Sequence, residues 1–514
     1  MSVYLIGAGP GDAGLITVKG LHLLTQADVV IYDHLVAEGL LNHTKPEARL
    51  IYAGKQSGKH TLSQAEINAL LVQAGRQAAE TGSSVVRLKG GDPFLFGRGG
   101  EEMEALIEAE LEFEIVPGVS SAWAVPAYAG IPLTHRDLAS SVALVTGQTG
   151  TGNTEPDWSG LAQSTDTLVV LMGMARLEEI CNRVLASGLS GSTPAAAVEW
   201  GTLGCQRKVV GNLAGIAAAT AKAELAAPVV LVIGQVAGFG CGQSWFERKP
   251  LFNRTIAVTR SRAQAGELSD LLCAMGAVPL ELPVIEIKPT ADHAPLLHTL
   301  AQINNYSWLV FTSANGVRVF WNMLAANGLD SRILGPVNIA AIGPGTAAAL
   351  QECCIIPDFV PDIYVAEELA CGLRERISAS PSGKAPKPVL ILRGNLYRPA
   401  LENVLRAAGI QVETLSLYDT ILPSEAVYRA GLQNMNSALK NQKLDAVTFC
   451  SASAVDNFFK LTPPEAFRDK NICFACIGPI TAECLKKYGL SCTLQTNEYT
   501  LHGLARALEH YFST

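Results

Sequence analysis

The sequence predicts an α/β protein made of two successive halves, the second of them internally doubled. Three observations carry this. Short apolar runs alternate with helical patterns from the start: "VYLIGAG", "ADVVIYD", "SVVRLKGGD" and "FEIVPG" read as strands separated by helices. The run "CGQSWFERKPLFNRT", residues 241–255, breaks that alternation with aromatic, charged and proline residues before a fresh strand, "IAVTR". Beyond it, landmarks recur in one order at nearly one spacing. "VTRSRAQAGEL" from Val258 is echoed by "LRGNLYRPALENVL" from Leu392. "FTSANGVRVF" from Phe311 is echoed by "FCSASAVDNFF" from Phe449, and "AIGPGTAAAL" from Ala341 by "CIGPITAECL" from Cys476. Arg260 and Arg393 stand 133 residues apart, and Thr346 and Thr481 stand 135 apart. Two similar α/β lobes follow, and a cleft between such lobes is the expected ligand site.

Composition sets bounds on this architecture. At 514 residues the chain is too long for one ordinary core. Its 48% hydrophobic and 17% charged residues fit a folded protein. The formal charge is −8, and no basic stripe suggests nucleic acid. Residues 1–250 hold 17 Lys+Arg against 24 Asp+Glu, whereas 251–514 hold 22 against 23. Much of the acidic excess lies in "EEMEALIEAELEFE", residues 101–114, which reads as a solvated helix face running into a strand.

The longest uncharged stretch, 225–246, is interrupted by Pro228, Gln235, Gln243, Ser244 and several glycines, so no membrane span is expected. Met1 leads straight into a strand and turn, unlike a signal peptide. Twelve cysteines without a disulfide-like framework point to the cytoplasm. The CxxC of Cys473 and Cys476 falls in a strand, where residues three apart face opposite ways. Buried structural thiols are the better reading, and no metal site is expected.

The glycines of the first half suggest a cofactor cradle. "VYLIGAGPGDAGLIT" places Gly7, Gly9 and Gly11 after the first strand, but Asp12 stands where a dinucleotide fingerprint has its third glycine. "RLKGGDPFLFGRGGEE", residues 87–102, is more telling. Gly90 and Gly91 bare the backbone at a strand's carboxyl end, where open α/β sheets bind ligands. Asp92 can accept hydrogen bonds from ribose hydroxyls or an ammonium group, and Arg98 can project toward an anionic substrate.

Here the sequence resembles a known family. "GAGPGDAGLIT", "ADVVIYD", Gly54-Lys55, "VVRLKGGDPFLFGRGGEE", "VPGVSSA", "AYAGIPLTHR" and "TLVVLMG" follow one another as in uroporphyrinogen-III C-methyltransferases, over about residues 1–240. The resemblance implies a two-lobed tetrapyrrole methylase fold, usually a homodimer. S-adenosyl-L-methionine would lie in the cleft and leave as S-adenosyl-L-homocysteine. It places Pro10, Gly90, Gly91, Asp92, Leu95, Ser120, Ser121, Met172 and Gly201 around that cofactor. Ser120-Ser121 stands where the family more often has Thr-Ala or Thr-Ser. Asp33 matches a proposed proton acceptor and Lys55 a proposed proton donor. Asp33 could equally be a cap or ribose acceptor, and Lys55 a carboxylate clamp. His34 stands where the family commonly has Arg.

The second half offers no triad, metal set or phosphate loop. Hydroxyls recur at strand ends instead, where helix starts bind anions well, although ordinary capping explains some of them. Over about 255–513 this half resembles uroporphyrinogen-III synthases, carried by "VTRSRAQAGEL", "FTSANGV", "AIGPGTA", "LYDT" and "T..GLARAL". The resemblance implies a bilobed fold that closes hydroxymethylbilane while inverting its last pyrrole. Thr312, Ser313, Thr346, Arg393, Ser451 and Thr481 would hold substrate carboxylates. Tyr418 in "LYDT" would assist hydroxyl loss, or be a half-buried strand residue. The expected division is 1–245 (lobes about 1–118 and 119–245) and 246–514 (lobes about 252–287 plus 421–514, and 288–420).

Together the two resemblances imply a bifunctional enzyme. It would convert hydroxymethylbilane to uroporphyrinogen III, then methylate that product twice to precorrin-2 for siroheme or corrinoid synthesis. Its partners would be small-molecule tetrapyrroles and a second copy of the chain. The alternative is a methylase of a later corrin intermediate fused to a bilobed ligand-binding module.

Overall fold

The computed structural model describes residues 2–54, 62–148, 155–239, 244–260, 262–335, 337–379, 387–396 and 399–513, with the backbone alone at 262–265. The first half holds two five-stranded sheets. In the first, β1 (Val3–Gly7), β2 (Val29–Tyr32), β3 (Arg49–Tyr52), β4 (Val85–Lys89) and β5 (Phe113–Val116) are parallel in the order β3-β2-β4-β1-β5. Helices cover both faces, so β1 and β4 are buried almost throughout. The helix Gln64–Thr81 shows how sequence sets the bounds of an element. Ser63 and Glu66 form a reciprocal capping box at its start, and Gly82, at φ 72°, ends it in the left-handed region.

The second sheet comprises β6 (Val142–Thr146), β7 (Thr167–Leu171), β8 (Pro194–Glu199), β9 (Arg207–Asn212) and β10 (Val229–Ile233), in the order β6-β7-β10-β8-β9. β10 runs antiparallel to both its neighbours. The apolar runs "TLVVL" and "VVLVI" become its two wholly buried strands.

The second half adds ten strands: β11 (Thr255–Val258), β12 (Val278–Glu281), β13 (Glu286–Pro289), β14 (Trp308–Phe311), β15 (Asn338–Ala341), β16 (Val389–Gly394), β17 (Val412–Ile421), β18 (Ala446–Phe449), β19 (Cys473–Cys476) and β20 (Leu494–Gln495). They form two sheets, ordered β12-β11-β18-β19-β20 and β13-β17-β16-β14-β15. The doubled lobe expected from the sequence is present. Matched landmarks occupy matched places: β11 answers β16, β18 answers β14, and β19 answers β15.

The sequence copies and the lobes are nevertheless different partitions. The first copy puts β11 in one sheet and β14 and β15 in the other; the second copy does the reverse. The chain therefore crosses between lobes twice, after β12 and after β17. Beside these crossings β13 pairs antiparallel with β17, from Glu286 opposite Ile421 to Pro289 opposite Tyr418. Cys473 and Cys476 lie buried in β19, where burial pushes the Cys473 thiol up to about 12.

The connection between the halves is packed rather than slack. Phe246 is 2% exposed and meets the rings of Tyr128, Trp245 and Phe252 at 4.8–5.7 Å. The Ser244 hydroxyl donates to Tyr128 O at 2.8 Å, and Lys208 pairs with Glu247 at 2.8 Å. Asn42 of the first half donates to Glu281 of the second at 3.1 Å. Phe246→Ala should therefore cost about 3–5 kcal/mol. Denaturant unfolding should show a lower midpoint, and an unchanged midpoint would mean that this ring cluster does not tie the halves together.

Candidate active sites

The first cleft begins where β1, β4 and β5 end side by side. Glycine is required there because three backbones meet. A Cβ on Gly7 would lie 2.7 Å from Gly91 O, and one on Gly118 would collide with the same oxygen. Gly91 N–H donates to Gly9 O at 2.7 Å. Gly91 itself has φ +71°, and a Cβ there would meet only Ser120 Cα, at 4.0 Å. It faces open space beside a tightly held turn.

Asp92 fastens this arrangement. Its Oδ1 accepts from the N–H of Phe94 at 2.8 Å and of Leu95 at 3.1 Å, and its Oδ2 from Gly118 N–H at 2.9 Å. The carboxylate thus ties the β4 turn to the β5 turn, leaving little of it for a ligand. Pro10 lies in the β1 turn, and Leu95 packs on the core of the second sheet. Ser120 is buried and caps the helix Ser121–Tyr128, accepting from Ala122 N–H at 3.2 Å.

The second lobe meets this rim with strained backbone. Met172, Trp200 and Thr202, just past β7 and β8, have φ of 54°, 45° and 73°. Gly201 lies so close to Val125 that any Cβ would collide with it. Thr202 Oγ1 accepts from Asp12 N–H at 3.0 Å, Tyr128 donates to Asp12 Oδ2 at 2.7 Å, and His34 meets the Trp200 ring edge-on at 6.1 Å. The two lobes of this half thus meet through Asp12 and His34 on one side and Trp200 and Thr202 on the other.

Asp33 follows β2 at the same edge. Its Oδ1 accepts from Leu35 N–H at 3.0 Å, and its Oδ2 is 3.5 Å from Arg87 Nη2. Lys55 lies outside the described residues. Arg98 is spent locally: Nε and Nη2 donate to Glu101 at 2.8 and 2.7 Å.

Behind Asp33 lies a charged cluster that the sequence reading missed. Glu102 belongs to the run read as solvated, yet it is 0% exposed. Its Oε1 accepts from Arg87 Nε at 3.0 Å and from Lys89 Nζ at 2.7 Å. Burial, and then the neighbouring Arg87, pull the Lys89 ammonium below the usual lysine range. The available signal was "RLK" inside an apolar strand: Arg87 and Lys89 share one face, and a buried cation needs a partner.

The second cleft separates the two lobes of the second half. Adjoining cavities of about 1070 and 500 Å³ occupy it. Ser313, Thr346, Tyr418, Ser451 and Thr481 all line it, as do Arg260, Asn315 and Arg318, which the sequence reading left out. Helices Pro344–Glu352 and Pro479–Lys486 begin at its wall without side-chain caps, and helix N-termini suit anions.

Thr312 and Arg393 are not among the lining residues. Thr312 Oγ1 donates to Leu392 O at 3.3 Å, and Arg393 forms a buried ion pair with Glu402. Arg260 and Arg393, equivalent in the repeat, have thus diverged. Tyr418 is 6% exposed, and its phenol shares a 2.8 Å hydrogen bond with Ser313 Oγ. Burial raises its pKa, so the phenol keeps its proton. Gly394 is necessary to seat it, because a Cβ there would lie 2.6 Å from the ring.

Glu102→Ala should cost about 3–5 kcal/mol, because it strands two buried cations. Chemical denaturation measures this, and a loss below 1 kcal/mol would mean that Arg87 and Lys89 reach water instead. Gly91→Ala forces a left-handed backbone at about 1–2 kcal/mol and places a methyl group in the open cradle. It should weaken cofactor binding in calorimetry while the fold survives.

Two protein families match successive parts of the chain. Residues 2–217 match the tetrapyrrole (corrin/porphyrin) methylase family, and residues 266–506 match uroporphyrinogen-III synthase HemD. The porphyrin biosynthesis protein HemD of Ruminiclostridium josui is 38% identical over 489 residues, covering 95% of this chain and 94% of that protein. The uroporphyrinogen-III C-methyltransferase of Bacillus subtilis is 42% identical over 335 residues, 65% of this chain and 68% of its own. A solved structure of uroporphyrin-III C-methyltransferase from Thermus thermophilus, complexed with S-adenosyl homocysteine, is 40% identical. It covers 46% of this chain and 93% of that one, with a TM-score of 0.39. With a relative this similar along nearly its whole length, the chain belongs to the family of fused proteins that join a uroporphyrinogen-III C-methyltransferase to a uroporphyrinogen-III synthase.

Proposed function

We propose that residues 246–514 close hydroxymethylbilane to uroporphyrinogen III with inversion of the last pyrrole. Residues 1–245 then methylate that product twice to precorrin-2. The observation that carries this reading is the pairing of two clefts in one chain, one a glycine cradle and the other a large two-lobed cavity, whose products and substrates match.

S-adenosyl-L-methionine, when bound, supplies an electrophilic methyl group. The glycine turns suit it because they admit a ligand against bare backbone, with Pro10, Gly90, Gly91, Leu95, Ser120, Ser121, Met172 and Gly201 around it. The pyrrole carbon is already electron-rich, so positioning supplies most of the acceleration. A proton must leave the macrocycle after each methyl transfer, and Asp33 would take it. Arg87 holds that carboxylate toward the cleft. Asp92 acts by fixing the loops. Lys55 remains the assigned donor by resemblance.

In the second cleft the bilane brings its own leaving hydroxyl. Tyr418, kept protonated by burial, can donate to the departing oxygen. Ser313, Thr346, Ser451, Thr481, the two helix starts, Arg260 and Arg318 would share the substrate's carboxylates. The reading also includes a homodimer through the methylase half, for which exposed Phe94, Phe96, Ile107 and Trp123 offer apolar surface. The cytoplasm is the assigned compartment, in keeping with the buried thiols of Cys181, Cys473 and Cys476.

The deciding experiment is incubation with hydroxymethylbilane, with and without S-adenosyl-L-methionine, followed by product spectra. Uroporphyrinogen III should form in both, and precorrin-2 only with the methyl donor. Failure to cyclise would leave a ligand-binding module in place of the synthase. Asp33→Asn should slow methylation more than it weakens cofactor binding; equal losses would make Asp33 a cofactor ligand. Tyr418→Phe should slow closure more than substitution of any single cleft hydroxyl, each of which costs about 0.5–1.5 kcal/mol. A hydroxyl variant that abolishes closure while Tyr418→Phe does not would point to a different proton donor.

A further inference from the structure

Tyr364 and Tyr499 are 135 residues apart, the same separation that relates Gly343 to Gly478 and Thr346 to Thr481. They are mates under the internal repeat, and they sit in opposite lobes. Each lies against the glycine that starts its own lobe's cleft-facing helix. A Cβ on Gly343 would be 3.1 Å from Tyr364 Cβ, and one on Gly478 would be 3.5 Å from Tyr499 Cδ1. Both residues line the cleft. Across it the two rings meet edge to face, with centroids 6.2 Å apart and planes at 80°. Tyr364 is 38% exposed, so core packing does not explain the pair. The contact joins the lobes through side chains, in addition to the two chain crossings.

We propose that Tyr364 and Tyr499 are positioning residues that clasp the two lobes over the curled bilane. The proposal rests on the synthase reading given above. A linear tetrapyrrole entering between the lobes would part the rings, and their return would close the lobes over it. An edge-to-face pair is weak enough to open and reclose, and specific enough in geometry to favour the closed arrangement. Once closed, the clasp holds the chain in the curl that inversion requires. A bilane released early loses its hydroxyl in solution and closes without inversion. The ratio of inverted to uninverted macrocycle therefore reports retention.

The test uses the full-length chain with hydroxymethylbilane and no methyl donor. Tyr364→Ala and Tyr499→Ala should each lower the inverted-to-uninverted ratio about twofold to tenfold. The double variant should be no worse than the poorer single, because the rings act as one unit. Tyr364→Phe and Tyr499→Phe keep the ring edge and face, and should keep the wild-type ratio. Unchanged ratios in the alanine variants, or losses that add in the double, would overturn the clasp. If an alanine variant fails to fold, Tyr364→Leu and Tyr499→Leu preserve bulk without the ring and should show the same loss; a wild-type ratio there also overturns it. Wild-type chain that makes no inverted product would sink the synthase reading, a result separate from wild-type chain and variants all inverting equally.

Discussion

Close backbone contact at the edge of the first sheet is the constraint on which the methylase half depends. Gly7 and Gly118 bring their strand ends against each other and against Gly91 O, within a distance that no side chain on either would permit. Asp92 then locks two of those turns through backbone N–H groups. Everything the cleft can bind is measured from this junction. The opposite rim answers with left-handed residues at Met172, Trp200 and Thr202, each of which costs energy that the surrounding contacts must offset.

Charge serves the two halves differently. In the first, Arg87, Lys89 and Glu102 are taken out of water and compensate one another behind Asp33. The arrangement holds the Asp33 carboxylate beside Arg87, 3.5 Å from its Nη2. In the second, the wall is built from hydroxyls, uncapped helix starts and the cations Arg260 and Arg318. Many weak donors suit a flexible substrate with many carboxylates, since no single contact dictates its pose.

The doubling of the second half explains its mechanics. Each lobe draws strands from both sequence copies, so the lobes are tied by two crossings beside one antiparallel strand pair. A joint of that kind permits the cleft to widen. Repeat-related pairs have then taken separate paths. Arg260 faces the cleft while Arg393 is buried against Glu402, whereas Tyr364 and Tyr499 have stayed alike and meet.

What the sequence by itself determined was the α/β class, the doubling of the second half and the two families. The class and the doubling follow from period, order and spacing along the chain, and the two families from the resemblance of their motifs. The strand-end glycines were legible for the same reason, because a bare turn after an apolar run has few other uses. Tertiary structure alone decided which polar groups face a cleft. "EEMEALIEAELEFE" reads as a solvated face, yet Glu102 is buried because two cations on β4 point at it. Thr312 occupies a strand-end position like that of Ser313, but a one-residue step along an extended backbone turns a side chain to the other face; Arg393, the repeat mate of Arg260, is held instead by the buried Glu402. Whether a side chain finds its partner inside the fold or in a ligand depends on neighbours far away in the chain, and local patterns carry no record of them.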